Sequence, residues 1–159
     1  MKVAPILRAA RSEDAPILAG FRYEFRAEME PPAEQAPNFI ARCHAWMARR
    51  LQAGGGWAAW VAEEGGGACG MIWLQLVEKL PNPVAEPEWH GYVTSLYVTP
   101  QCRAAGLGSA LLKAALDECD RRQVDAVFLW PTPRSRSLYL RHGFAVREDL
   151  MERRKSREP

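Results

Sequence analysis

The sequence predicts an α/β protein, a mixed β-sheet covered by helices, on three observations. Two strand-like runs, "WAAWVAEE" and "ACGMIWLQLVEK", are joined by Gly65, Gly66 and Gly67 and read as a hairpin. A β-branched and aromatic run, "WHGYVTSLYV", is followed by a helical pattern and then by the short apolar run "DAVFLW", a strand-helix-strand unit that implies one parallel pair. Helical periodicity also fills the first third of the chain.

Taken in order, "APILRAA" reads as the first strand. Ser12 and Asp14 offer a cap, and Ile17, Leu18, Phe21 and Phe25 recur at helical spacing, predicting a helix over about 13–29. "PPAEQAP" interrupts it. Phe39, Ile40, Cys43, Trp46, Met47 and Leu51 then make a second amphipathic helix that stops at the glycines from Gly54 to Gly56. The hairpin and "WHGYVTSLYV" follow, separated by the proline-punctuated loop "LPNPVAEPE". The next helix places Leu107, Ala110, Leu111, Ala114, Ala115 and Cys119 on one side. A short helix is expected between Pro133 and Gly143, and a last strand over "FAVREDLMER". The expected order is β-α-α-β-β-β-α-β-α-β.

A chain of 159 residues with 48% hydrophobic and 25% charged residues can bury one substantial core, so a single domain over 1–159 is expected, with its core at about 6–153. The formal net charge of +2 is dispersed. Its one dense basic stretch is the end, with residues 154–159 read as a solvated tail, so no nucleic-acid partner is expected. No apolar run is long enough to span a bilayer, and the N-terminus lacks the apolar segment of a signal peptide. Cys43, Cys69, Cys102 and Cys119 show neither a C-x-x-C pair nor a histidine at ligand spacing. These features predict a cytoplasmic protein with no metal and no membrane partner; a homodimer stays open.

The stretch "VTPQCRAAGLGSALLKAALDECDRR" raises the functional question. A helix start carries unpaired N–H groups and the positive end of the macrodipole, and glycines let an anion approach the backbone closely. A phosphate-bearing ligand is therefore expected. A dinucleotide-binding G-x-G-x-x-G is incomplete, because position 111 is Leu111, and a phosphate-binding P-loop fails because Met71 stands where its lysine should be.

The remaining pattern, Arg103-x-x-Gly106-x-Gly108 directly after "SLYVTP", resembles the acyl-CoA pyrophosphate loop of the GNAT superfamily of N-acetyltransferases. The later "LYLRHGF" resembles that family's second signature, a short helix with a tyrosine, here Tyr139, shortly before Gly143-Phe144. The order of elements agrees over roughly 6–153. The resemblance implies a GNAT-like mixed sheet of about six to seven strands flanked by about four helices. It also implies acetyl-CoA as co-substrate and direct transfer of the acetyl group to a primary amine of a small molecule or peptide. Its pyrophosphate would lie against Arg103, Ala104, Ala105, Gly106, Leu107, Gly108 and Ser109, and its pantetheine along Leu96, Tyr97 and Val98. Tyr139 would be the general acid toward the departing thiolate. Without the resemblance, Tyr139 would read as a core tyrosine and the glycine loop as an ordinary turn.

Two other readings stay open on the residues alone, a non-catalytic acyl-CoA-binding module and a nucleotide-binding domain without chemistry. Tyr139 speaks against the first, and Arg103 with its two glycines against the second. Two departures from the family pattern stand out. Thr94 and Ser95 occupy the place where many members carry a carboxylate base, and Thr132 the place of a frequent asparagine. At ~3.3 Å per residue His90 lies about 13 Å along the strand from Thr94, too far for direct proton abstraction, so a water relay or a neutral amine is expected. For the acceptor, Glu24 and Glu28 lie one helical turn apart and could face a cationic amine, although a solvated face paired with Arg22 and Arg26 explains them as well.

Overall fold

A computed structural model describes residues 4–155. Strand β1 (Ile6–Ala9) leads through a single 3-10 turn to helices α1 (Ala15–Ala27) and α2 (Ala36–Ala53). Strands β2 (Trp57–Glu64), β3 (Gly67–Glu78) and β4 (Trp89–Val98) follow, then α3 (Leu107–Arg121), β5 (Ala126–Phe128) and α4 (Arg136–Arg141). The sheet has five strands in the order β1-β2-β3-β4-β5, antiparallel except for the parallel β4–β5 pair.

The punctuation expected from the sequence explains most boundaries. Gly65 and Gly66, with φ of 61° and 82°, turn the β2–β3 hairpin, and Gly54 at φ 58° terminates α2. Strand β3 is apolar at consecutive positions because both of its faces are covered. Ile72 and Leu74 pack with Leu111, Leu112 and Ala115 of α3, whereas Met71 and Trp73 pack with Leu18 and Phe21 of α1 and Met47 of α2. Gly70 permits the close approach of α3, since a Cβ there would meet the Tyr97 carbonyl oxygen at 2.9 Å and Leu111 Cδ1 at 3.1 Å.

The expected last strand is corrected: none forms after α4 among the described residues, so the sheet has five strands rather than six or seven. The apolar residues of "FAVREDLMER" fall in two short runs, 144–146 and 150–151, separated by Arg147, Glu148 and Asp149, so no apolar face is sustained. Val146, Leu150 and Met151 are accordingly 70%, 62% and 95% exposed. The basic tail lies outside the described residues from position 156 onward.

One feature of the sheet positions the site. Strands β4 and β5 pair from His90↔Ala126 to Tyr92↔Phe128, so β4 continues from Val93 to Val98 with no strand on that side among the described residues. Within this free stretch the β3–β4 register shifts, and Ser95 takes φ 56°. A bulge of this kind bends the strand and redirects its side chains.

Candidate active site

The loop after β4 makes a 3-10 turn at Pro100–Cys102 and then curls through left-handed backbone at Ala104 (φ 63°) and Gly106 (φ 79°) before α3 begins. Helix α3 takes its first backbone bond from Ala110 N–H to the Gly106 carbonyl, which leaves the amides of Leu107, Gly108 and Ser109 without helical acceptors. A Cβ on Gly106 would meet nothing within 4 Å, and one on Gly108 only Leu138 at 3.6 Å. Packing within the protein therefore does not require bare backbone at Gly108. A ligand pressed against it would.

A cleft of about 270 Å³ opens over this loop, walled by Leu96 and Val98 of β4 and by Ser137, Leu138 and Arg141 of α4, with Arg103 and Arg134 at its edge. No carboxylate lines it. Positive charge, helix-start amides and a free strand edge fit a polyphosphate with an extended amide-bearing arm, which is the chemistry of CoA.

Arg103 is held in place. Its Nε donates to the Val98 carbonyl at 2.8 Å and its guanidinium lies 5.6 Å from the centre of the Tyr97 ring. The structure thus brings together Leu96, Val98, Arg103, Ala104, Gly106, Leu107, Gly108 and Ser109 but leaves Ala105 off the cleft wall, and the Val98 carbonyl is already engaged. Tyr97 is on the strand but turns its ring toward α1, where its hydroxyl donates to Glu24 at 2.8 Å. Burial and this bond push the Tyr97 phenol up to about 12.

Tyr139 lines a second cleft of about 180 Å³ with Thr94, Ser95 and Leu96, directly on the unpaired edge of β4. It is 8% exposed and its ring meets Phe144 edge-on, with centroids 5.6 Å apart. Burial pushes its phenol up to about 12, partly opposed by a bond to Ser135. The group therefore keeps its proton throughout the neutral range. Thr132 and Ser135 bond each other reciprocally at the start of this segment, Thr132 N–H donating to Ser135 Oγ at 3.0 Å and Ser135 N–H to Thr132 Oγ1 at 3.2 Å.

His90 and His142 stand apart from this cleft. His90 pairs with Ala126 at the opposite end of β4, and His142 Nδ1 sits 2.9 Å from the Leu138 carbonyl at the end of α4.

Glu24 and Glu28 are not brought to a common amine-binding face. Glu24 accepts the Tyr97 hydroxyl, and Glu28 bridges Arg103 and Arg134, the latter at 3.1 Å. The two arginines hold the Glu28 carboxyl below its usual range, against the opposing effect of burial.

Two further groupings were not legible from spacing. Glu64, Cys69 and Cys102 have ligand atoms within 4.8 Å of one another, but burial holds the Cys69 thiol up at about 11, which opposes the thiolate a metal needs. The other is a cleft of about 490 Å³ beyond the Ser95 bulge, between α2 and the sheet, walled by Phe39, Trp46, Trp57, Trp73 and Tyr92. Its residues come from separate segments, and only its tryptophan content hinted at it.

Comparison with known proteins places this geometry. The model of the acetyltransferase (GNAT) family matches residues 19–144, and the chain belongs to that family. It is an acetyltransferase with acetyl-CoA as co-substrate. Among solved structures, a GCN5-related N-acetyltransferase from Ralstonia eutropha JMP134 is 27% identical, with a TM-score of 0.76 over 94% of this chain and 98% of that one. A predicted acetyltransferase from Clostridium acetobutylicum, solved with acetyl-CoA, shares the fold at 19% identity, with a TM-score of 0.80 over 95% and 96% of the two chains. Glucosamine-6-phosphate N-acetyltransferase from Arabidopsis thaliana does so at 15% identity, with a TM-score of 0.70 over 97% and 100%. No curated protein sequence matches the chain.

Proposed function

We propose that the protein transfers the acetyl group of acetyl-CoA to a primary amine of a small molecule or peptide by direct attack, with Tyr139 as general acid. The observation that carries this is the position of Tyr139, a buried phenol on the cleft beside the unpaired edge of β4. Acetyl-CoA supplies the acetyl group as an activated thioester. The amine nitrogen forms a bond to the acetyl carbon as the carbon–sulfur bond breaks, and the Tyr139 hydroxyl gives its proton to the departing sulfur. The amide of Leu96 and its neighbours on β4 orient the arm and polarise the carbonyl, while Arg103 and the amides of 104–109 hold the pyrophosphate. The amine's proton leaves through water ordered by Thr94 and Ser95, since no carboxylate lines the cleft. The same reading makes the chain a single catalytic domain working in the cytoplasm, in keeping with its four free thiols.

The test is amine-dependent release of CoA thiol. Tyr139→Phe is expected to lower kcat by about 10²–10⁴-fold with acetyl-CoA affinity near the original value. Because the phenol is held at about 12, above its ordinary 10, the acid stays protonated and kcat does not decline between pH 7 and pH 10. An unchanged kcat in a chemistry-limited assay would make Tyr139 a packing partner of Phe144 only.

A further inference from the structure

The aromatic cleft beyond the bulge is lined by a guanidinium that the protein satisfies only in part. Arg22 of α1 reaches it and donates one N–H to Ser95 Oγ at 3.1 Å. Among the described residues no carboxylate pairs with this guanidinium, which carries five N–H donors and no acceptor. Burial shifts its pKa below the usual guanidinium value. Trp73, 2% exposed, has its Nε1–H buried with no partner. Arg22 is half-buried, its guanidinium 5.8 Å from the centre of the Phe25 ring, and a cation taken partly out of water without a counter-charge is costly.

The remaining charges of the cleft have the same sign. Arg42 is occupied by Glu34 through both of its carboxylate oxygens, Arg49 has no ion-pair partner among the described residues, and no acidic side chain lines the walls. Such a cavity complements an oxyanion and repels added positive charge.

The place of the anion relative to the reacting amine follows from the walls. Arg22, Tyr92, Thr94 and Ser95 line both this cleft and the smaller one that holds Tyr139. An oxyanion on Arg22 thus lies next to the point of transfer, and the space leading away from it is enclosed by indoles. Trp46, Trp57 and Trp73 stand with ring centroids 5.0, 5.9 and 6.1 Å apart. An amine with an adjacent oxyanion and apolar bulk beyond it is an α-amino acid with an aromatic or large apolar side chain.

We propose that the acceptor is a free α-amino acid of this kind, its carboxylate on Arg22 and its side chain among Trp46, Trp57 and Phe39. This rests on the acetyl-transfer reading above and names the substrate class of that site. It excludes polyamines and other polycationic acceptors, whose extra ammonium groups would meet Arg22, Arg42 and Arg49.

The test measures CoA thiol release at saturating acetyl-CoA with L-phenylalanine, L-tryptophan and L-methionine, each beside its decarboxylated amine, and with spermidine. The amino acids are expected to exceed their decarboxylated partners in kcat/KM by at least ~10-fold. Arg22→Gln should lower kcat/KM for the amino acids roughly 10- to 100-fold more than for phenethylamine, which feels only the lost bond to Ser95, with partial recovery in Arg22→Lys. Calorimetry of acetyl-CoA on each variant separates this from misfolding, because the cofactor affinity should not move. The proposal is overturned if phenethylamine or spermidine matches the amino acids, if Arg22→Gln lowers both classes alike, or if no amino acid is acetylated while acetyl-CoA binds normally. A wild-type protein that binds no acetyl-CoA would overturn the acetyl-transfer reading first, and this one with it.

Discussion

The cleft at the start of α3 and the aromatic cleft beside α2 share the open strand β4, yet they are built from different parts of the chain. The first centres on backbone, the unpaired edge of β4, two left-handed residues and the first amides of α3 between Leu96 and Ser109, and is closed by α4. The second is entirely side chains, drawn from α1, α2, β2, β3 and β4. Backbone geometry suits a ligand whose chemistry never changes, because substitution of the surrounding side chains leaves it intact. Side-chain walls suit a ligand that differs between relatives, because each residue can be exchanged separately.

If the α3 cleft depends on bare backbone, one side chain in the wrong place should disable it. Gly106→Glu is expected to have the largest effect in this comparison, weakening acetyl-CoA binding by about 100-fold or more in calorimetry. It forces an L-residue to φ 79° and sets a carboxylate where the pyrophosphate is proposed to lie. Since a Cβ there meets nothing within 4 Å, the folded state should survive. Retained affinity would show that the loop is only a turn.

Glu28→Gln sharpens the boundary between the two clefts, with a smaller effect. Glu28 bridges Arg103 and Arg134 and thereby competes with an incoming phosphate for both guanidinium groups. Removing its charge should lower the KM for acetyl-CoA by a few-fold, an effect that salt screens because these ion pairs are partly exposed. The KM for the acceptor should stay unchanged. A selective rise in the acceptor KM would instead return Glu28 to the amine-binding role that its spacing from Glu24 suggests.

The same contrast explains what the sequence disclosed. The arginine and the glycines at 106 and 108 lie within six residues of one another, and Tyr139 stands just before Gly143 and Phe144, so each short pattern is legible by its own spacing. The resemblance named Ala104, but its left-handed backbone was not legible because it adopts that conformation without being a glycine. The cleft formed by Arg22, Trp46, Trp57 and Trp73 depends on which faces of α1, α2 and the sheet meet, and no local spacing encodes that. Periodicity put Glu24 and Glu28 on one helix, where the structure has Glu24 in α1 and Glu28 at its C-cap, and it gave no information about Tyr97, Arg103 and Arg134, the partners that tertiary packing supplies. The C-terminal segment failed for a third reason. Its strand-like composition lacks the alternation that would let it bury one face.

Amide hydrogen exchange with and without acetyl-CoA tests the central claim, that one cleft takes the co-substrate through its backbone and the other is reserved for the acceptor. Acetyl-CoA alone should slow exchange at the amides of residues 96–98 and 103–109 and leave those of residues 39–57 near their original rates. Protection centred on 39–57, or none across 103–109 at saturating acetyl-CoA, would contradict it.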